Sequence, residues 1–415
     1  MSILWRNIGN YAHFLNCKNG QIISIEAGGV EAKRIVNKSD DYEFNSDAKN
    51  FFKNINGQYN SRLCRKNLIK LGLAFNFPTT VNIELSRKCS LRCAHCYIRN
   101  EDLRSSMLDF LERMDESGIG DFLDELKDLG VFLIVISGGE PFISKSLWSL
   151  LRIATEKGFL VEIFSNLQYL PEWFISYKYG NFRIGRIQTS VYSSIPKIHD
   201  DITKNSGSLR RTLGNLSLLI RMGYFIEVAT PLMKRNFVSW ESTKFFFKEK
   251  KIAQKFSWPI TNERYGQAKK SRLNISGENL RDFIMKNPDF ISETHNSNRD
   301  EHICGVGKAI FAISANGDVF PCGALALSVG NISSKKIKDI IYGKTMSKYG
   351  SLKWKDIPAK KVFNFCLGIN YTDTGNILTQ PEHMLNAMNI VFAKKKGGKD
   401  EEESEKIDKD RLVIG

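Results

Sequence analysis

Cys89-Ser90-Leu91-Arg92-Cys93-Ala94-His95-Cys96-Tyr97 is the stretch on which the reading of this chain turns. It follows an apolar, β-branched run, Val81–Leu85, almost without a spacer. In an α/β barrel the loop after a strand opens on the catalytic face. Three thiolates spaced CxxxCxxC can wrap around one soft metal centre. A structural zinc wants four protein ligands, and no fourth cysteine or closing histidine pair is near. A 4Fe–4S cluster held by three cysteines keeps one iron open to another ligand, which suits an enzyme.

Outward from that loop, from Thr80 to about Pro259, strand and helix patterns alternate. Expected strands are Val81–Leu85, Val131–Ile136, Leu160–Phe164, Arg186–Val191, Phe225–Thr230 and, more weakly, Phe256–Ile260. Helical periodicity fills Met107–Leu129, Lys145–Lys157, Ser208–Met222 and Ser239–Lys250. Such alternation implies a parallel sheet, open or closed as a barrel. About six units in about 180 residues fit a partial (βα)6 barrel better than an eight-unit one.

The flanks differ from this centre. Tyr11–Asn16 and Gln21–Ile25 read as strands joined at Lys18-Asn19-Gly20, whose Asn-Gly pair signals a hairpin. Helices are expected near Val30–Asn37, Ala48–Ile55 and Leu63–Leu73, giving a small α/β module. The expected layout is an N-terminal module over 1–75, the barrel over 76–260 and an irregular bridge over 261–300. A cysteine-bearing domain over 301–393 and a charged tail over 394–415 follow. Lys394–Asp410 holds six lysines and seven acidic residues, the composition of a solvated, disordered segment.

Composition narrows the class. A chain of 415 residues predicts about two to three domains. With 42% apolar and 25% charged residues it is not a disordered chain. No apolar run approaches about 18 residues, so no transmembrane helix is expected. The start lacks an apolar secretion block, which places the protein in the cytoplasm. Net charge is +15, from 60 basic and 45 acidic residues. That balance suits nucleic acid, an anionic membrane surface, an acidic protein or simply solubility. No helix-turn-helix or zinc-finger spacing is present, so no nucleic acid is expected as partner; with no long apolar run, no membrane is expected either. Eight cysteines, several of them clustered, point in a reducing compartment to metal or redox work.

These motifs resemble the radical S-adenosylmethionine (AdoMet) superfamily. Cys89, Cys93 and Cys96 match its cluster ligands, and His95 its aromatic position before the last cysteine. Ser137-Gly138-Gly139-Glu140-Pro141 matches the Gly-Gly-Glu-Pro segment that in the family approaches the AdoMet amino group through its backbone. Glycines permit close approach, and an acidic or carbonyl acceptor suits an ammonium. Phe164-Ser165-Asn166 ends the third strand where the family often has Thr-Asn-Gly, although Leu167 follows here. Ser190, in Gln188–Ser193, stands where a serine commonly faces the AdoMet ribose or carboxylate. Strand-end capping is the other reading of Asn166 and Ser190. His199-Asp200-Asp201-Ile202-Thr203 with Gly207-Ser208-Leu209 is similar to a further family stretch, in which His199 reads as structural. The resemblance implies that the unique iron chelates AdoMet and that one electron splits its sulfonium. The products are methionine and a 5′-deoxyadenosyl radical that takes a substrate hydrogen.

Cys304 and Cys322 bracket Ile310–Pro321, whose Asn316-Gly317 signals a second hairpin. A hairpin base can bring both sulfurs to one metal, zinc included. Cys304, Gly317, Cys322 and Gly330-Asn331-Ile332 resemble the SPASM or twitch extension of the same superfamily. Aligning Cys366 on the last cysteine of the SPASM run puts Lys353, Asp356 and Val362 at three cysteine positions. The resemblance implies one auxiliary iron–sulfur cluster on Cys304, Cys322 and Cys366, with a fourth ligand from water, a side chain or substrate. Asp318 and Asp373 are candidates that also read as turn or capping residues. Cys17 and Cys64 read as buried free thiols.

Most members of the SPASM/twitch group modify peptides, and several carry an N-terminal winged-helix-like domain that captures a leader peptide by strand addition. The implied function is maturation of a ribosomally made precursor peptide (a RiPP). Side-chain crosslinking of the darobactin or triceptide type is the implied reaction, with a flavodoxin or ferredoxin as reductant. Alternatives are a sulfatase-maturase-like enzyme, a small-molecule radical AdoMet enzyme with residues 1–75 as a barrel cap, and a basic zinc protein that binds nucleic acid.

Overall fold

The computed structural model describes residues 3–8, 10–17, 21–26, 59–98, 109–176, 181–264, 269–290, 299–358, 362 and 364–391. Two sheets organise it. The smaller is antiparallel: β1 (Ile3–Ile8), β2 (Tyr11–Asn16) and β3 (Ile22–Glu26), with β2 central. The larger has nine strands in the order β12-β11-β10-β4-β5-β6-β7-β8-β9. Its six consecutive parallel strands are β4 (Thr80–Ser86), β5 (Leu133–Gly138), β6 (Leu160–Phe164), β7 (Ile184–Ser190), β8 (Ile226–Pro231) and β9 (Ala253–Ser257). The (βα)6 half-barrel expected from the alternation is therefore present.

The apolar runs read as strands because both of their faces are covered, as parallel sheets require. One face packs on helices α2 (Glu116–Asp128), α3 (Leu147–Glu156) and α6 (Ser208–Arg221). That layer buries Ile83, Ile134, Ile163, Ile187 and Val228 against Leu123, Leu151 and Leu216. The other face is concave. At its N-terminal end it receives α1 (Ser61–Phe75), whose Cys64, Leu68 and Leu71 pack with Leu133, Val135 and Leu160.

The N-terminal module is fastened to the barrel by two buried charges. Arg6 donates to the carbonyls of Val131 (2.8 Å) and Gly158 (2.9 Å), between the rings of Phe132 and Phe159. Glu162, on the concave face of β6, accepts from Tyr59 (2.6 Å), Ser61 (2.9 Å) and Arg65, and from Arg186 of β7 (2.6 Å). Burial alone would raise the Glu162 carboxyl. The guanidiniums of Arg65 and Arg186 outweigh that and hold it at about 2. A desolvated carboxylate survives because every lone-pair direction has a donor.

The C-terminal hairpin joins the barrel sheet directly. β10 (Ile310–Ile313) runs parallel to β4, pairing Ile310 with Thr80 through Ile313 with Ile83. β11 (Asp318–Phe320) returns antiparallel, and β12 (Gly330–Asn331) completes the edge. The turn is Ser314–Gly317 with Gly317 at φ +88°, followed by a Ser314–Asp318 bond, the geometry of a type I turn with a glycine bulge.

Several expectations need correction. The last barrel strand is Ala253–Ser257, three residues earlier than Phe256–Ile260. As the sheet's terminal strand it is half exposed, so Lys255 and Gln254 replace an apolar run. Helix α2 begins at Glu116, N-capped by Asp115, after a separate turn at Phe110–Arg113; Met107 lies outside the described residues. The bridge is not wholly irregular. It contains α9 (Gly277–Lys286), capped by Ser276 and burying Leu280, Phe283 and Ile284. Strand β1 and helix α5 (Pro196–Thr203) went unread. The helices expected at 30–37 and 48–55, the hairpin tip at 18–20 and the tail from 394 lie outside the described residues.

Glu162→Gln should destabilise the protein by about 3–5 kcal/mol at pH 7, because it leaves buried guanidiniums short of a charge. A carboxyl depressed to about 2 contributes stability above the ordinary carboxyl range and loses it as pH falls toward 2. Urea unfolding of both proteins between pH 7 and 3 should therefore show the difference shrinking below about pH 4.5.

Candidate active site and cluster centres

The cysteine loop leaves β4 and is held from three sides. Gly139 N–H donates to Ser86 O (2.6 Å) and Glu140 N–H to Lys88 O (2.8 Å). Arg92 and Ala94 N–H groups donate to the carbonyls of Thr203 (3.0 Å) and Ile202 (2.9 Å) at the end of α5. Ser86 and Arg87 donate to Asp109 at 2.8 and 3.0 Å. A Cβ on Gly139 would collide with the carbonyls of Lys88 and Arg87, and Gly138 has φ +118° beside Ser86. The two glycines thus serve first to bring the second strand's end against the cysteine loop.

The Glu140 side chain turns inward. Its carboxylate is fully buried and accepts from Phe142 N–H (3.1 Å), Ser165 hydroxyl (2.7 Å) and Asn166 N–H (2.8 Å). Burial raises it to about 7 against those three donors. It fixes the end of β6, and Asn166 then donates its side-chain amide to Cys89 Sγ (3.5 Å). Glu140 therefore acts at one remove, through Asn166.

The three thiols sense one another. Burial pushes Cys93 up to about 12, helped by Cys96 and Cys89 and opposed by the Tyr192 hydroxyl, which donates to Cys93 at 3.8 Å. Cys89 is raised by burial and by Glu140 and Cys96, while Leu91 N–H (3.4 Å) and Asn166 stabilise its sulfur. His95 stacks edge-on against Tyr192 at 4.8 Å. Its Nδ1 is buried and has no partner among the described residues, and burial with Lys270 nearby lowers its pKa to about 4. A neutral imidazole with an unsatisfied buried nitrogen is available to a ligand. Ser190 bonds the Tyr192 hydroxyl, and two residues earlier Gln188 holds a buried Oε1 without a partner among the described residues.

His199 is structural, as expected: its Nδ1 accepts from Tyr192 N–H at 3.2 Å. Asp200 caps α6 through Gly207, Ser208 and Leu209.

In the C-terminal module Cys304, Cys322 and Cys366 form a second triad. Burial raises all three, with Cys304 at about 12 and Cys322 at about 11; Cys322 and Cys366 push Cys304 further up, and Cys366 does the same to Cys322. Backbone N–H groups point at each sulfur: Val306 at Cys304, Ala324 and Leu325 at Cys322, Gly368 and Ile369 at Cys366. Hydrogen bonds of this kind stabilise cluster thiolates and tune potential. Cys366 is the N-cap of α12 (Leu367–Thr374), and Gly368 lies against the Ala324 backbone, where a Cβ would collide. Asp318 instead accepts from Asn331 in the hairpin (2.9 Å), and Asp373 from Asn262 N–H (3.2 Å) near His383.

Each donor set consists of three thiols. Tetrahedral zinc holds its thiolates about 4 Å apart. Among the described residues no three cysteine, histidine or acidic side chains close on a single-ion site. The triads are close enough for mutual charge effects, and their sulfurs are supplied with N–H donors. Cys89, Cys93 and Cys96 would hold the cluster that binds AdoMet, with Cys304, Cys322 and Cys366 holding the auxiliary one.

Arg264 joins the two centres and was not singled out in the sequence, since it lies in the bridge. Its guanidinium bonds buried Glu84 of β4 (2.5 Å) and the Gly323 carbonyl. It also lies over the rings of Tyr97 (5.3 Å) and Phe320 (5.4 Å).

The radical SAM superfamily profile matches residues 83–244, and the SPASM iron–sulfur cluster-binding domain profile matches 304–367. The AdoMet-dependent heme synthase of Methanosarcina barkeri is 26% identical over 297 residues, 64% of this chain and 82% of that protein. The subtilosin biosynthesis protein AlbA of Bacillus subtilis is 26% identical over 273 residues, covering 62% of this chain but only 58% of AlbA. Among solved structures, Streptococcus suis SuiB bound to S-adenosylmethionine superposes with a TM-score of 0.59 at 17% identity, covering 92% of this chain and 98% of that one.

Anaerobic reconstitution should load about eight irons per chain, falling to about four in a Cys89/Cys93/Cys96→Ala variant. About four in the wild type and none in the variant would leave the C-terminal triad without a cluster. The chain carries a radical SAM domain and a SPASM domain, each lying over one of the cysteine triads.

Proposed function

We propose that this enzyme matures a ribosomally made precursor peptide by joining side chains through C–C, ether or thioether bonds. The observation that carries this reading is the continuity of the two centres. β10 pairs with β4, so the auxiliary hairpin extends the catalytic sheet, and Arg264 bridges the loops after Cys96 and Cys322. A substrate residue held at that junction has cysteine centres on both sides. The N-terminal module adds a three-stranded sheet whose outer strands offer edges to an extended peptide. AlbA belongs to the biosynthesis of a bacteriocin, and SuiB was solved with its precursor peptide SuiA, both consistent with a peptide substrate.

When bound, the cluster and AdoMet supply a 5′-deoxyadenosyl radical that takes a hydrogen atom from the substrate. The chain's own residues do the rest. Gly138 and Gly139 set the backbone beside the cysteine loop, where the AdoMet amino group is expected. Asn166 and Ser190 orient polar groups at the ends of β6 and β7, and His95 offers a neutral ring nitrogen beside Tyr192. Cys304, Cys322 and Cys366 would hold an auxiliary cluster beside the hairpin that extends the same sheet. A flavodoxin- or ferredoxin-type reductant fits the +15 charge, and the cytoplasm fits both that donor and six cysteines kept as thiolates. No helix among the described residues is long and apolar enough to cross a membrane.

A small-molecule substrate is the second reading, favoured by the heme synthase relative. It makes the N-terminal module a cap on the barrel floor, which the Arg6 and Glu162 contacts also suit. A sulfatase-maturase-like enzyme fits less well, because Lys353, Asp356 and Val362 replace ligands of an outer cluster.

Incubation of the reconstituted enzyme with AdoMet, dithionite and the precursor peptide encoded beside it should yield a product lighter by two hydrogens per crosslink. Unchanged peptide mass, with intact clusters and 5′-deoxyadenosine released, would overturn the peptide reading.

A further inference from the structure

A cavity of about 920 Å³ lies away from the cysteine loops, at the open end of the barrel sheet. It is enclosed by α1, the first halves of β7 and β8, strand β9, helix α8 (Trp240–Glu249) and the end of α9. Seven of its lining side chains are lysine or arginine, against Glu227 and Asp289. The internal pairing leaves an excess of positive charge. Arg65, Arg186 and Lys255 share two carboxylates, Glu162 and Glu227. Arg62 and Lys248, both exposed at the rim, pair with no acidic group among the described residues. The fields of Arg186 and Arg65 also oppose protonation of Lys255, after burial and against Glu227. Like charges crowded around a space this size favour an anionic occupant.

The shape selects which anion. A lone phosphate would leave most of the volume empty. Phe256, Phe283 and Phe290 add apolar wall between the cations. Among the described residues β9 is the last strand and β8 its single partner, so one row of its N–H and C=O groups faces away from β8, and Gln254, Lys255 and Phe256 of this strand line the cavity. An extended chain can pair with such an edge while its side chains meet the walls. Arg186 stands four residues before Ser190 on β7, about 13 Å from the catalytic end.

We infer that this cavity and the β9 edge dock an acidic, extended segment of the peptide substrate, separately from the three-stranded sheet of the N-terminal module. The inference rests on the peptide reading above and adds the charge class of the substrate and a second point of attachment. Glutamates in the segment would meet Arg62, Lys248 and Lys255 at the rim, with apolar side chains on the phenylalanines.

The probe is a fluorescein-labelled peptide of six consecutive glutamates flanked by glycine and serine, titrated with the full reconstituted chain by anisotropy. Wild type should bind it, and an Arg62→Glu/Lys248→Glu variant should bind about tenfold or more weakly. Lys66→Glu/Lys70→Glu, with the same charge change on exposed positions of α1 outside the cavity, should bind as wild type does. Melting temperatures show that all three proteins are folded. Equal weakening by both pairs, equal binding of a six-glutamine peptide, or displacement by low-millimolar inorganic phosphate would each overturn the site. Anisotropy reads docking without turnover, so its failure is distinct from failure of the crosslinking assay. Crosslinking that persists while the two variant pairs bind alike would remove this site and leave peptide modification standing.

Discussion

The contact between Gly138-Gly139 and the backbone of Ser86–Lys88 is the constraint on which the catalytic end depends. A cluster loop must be rigid before metal binds, yet residues 87–97 contain no regular strand or long helix. Rigidity comes from outside. The N–H groups of Gly139 and Glu140 close one side of the loop, and the last carbonyls of α5 close another. Neither glycine tolerates a side chain, because the space a Cβ would need is already backbone. From Glu140 the constraint passes through Ser165 and Asn166 to Cys89, so the ends of β4, β5 and β6 move as one unit.

The same reasoning shows why parts of the site were legible in sequence and others were not. Cysteine spacing is visible in one dimension, because each triad's first members lie within one loop or one hairpin. The Gly-Gly-Glu segment is visible as a motif, but its role is not. Glu140 looks like a ligand for an ammonium, and only the fold shows that its three partners are internal. Arg264 was invisible for a different reason. Its value comes from Glu84, Tyr97 and Gly323, which lie 59 to 180 positions away in the chain. No periodicity announces such a residue. Helix α9 was overlooked because a run of polar residues surrounds its three buried side chains.

Fold-level prediction succeeded where burial is two-sided and weakened where it is not. β5 is buried on both faces and reads as an apolar run, and β6 does so too apart from Glu162, whose charge is met internally. β9 is bounded on one side only, and its Lys255 and Gln254 carry the signature of an edge. That difference is physical: a sheet edge must discourage indiscriminate pairing, and charged residues do so.

The edge also connects composition to function. A net charge of +15 is uninformative when spread over a surface, and its distribution matters more than its sum. Here much of the excess meets at one place, where the N-terminal helix, the open end of the barrel and the bridge helix converge. Glu162 and Glu227 hold Arg65, Arg186 and Lys255 in position without neutralising them fully. Cations gathered around this edge therefore repel like-charged strands while remaining receptive to an acidic one. Protection against aggregation and selection of a partner follow from the same charges, which explains why a half-barrel can leave its last strand open.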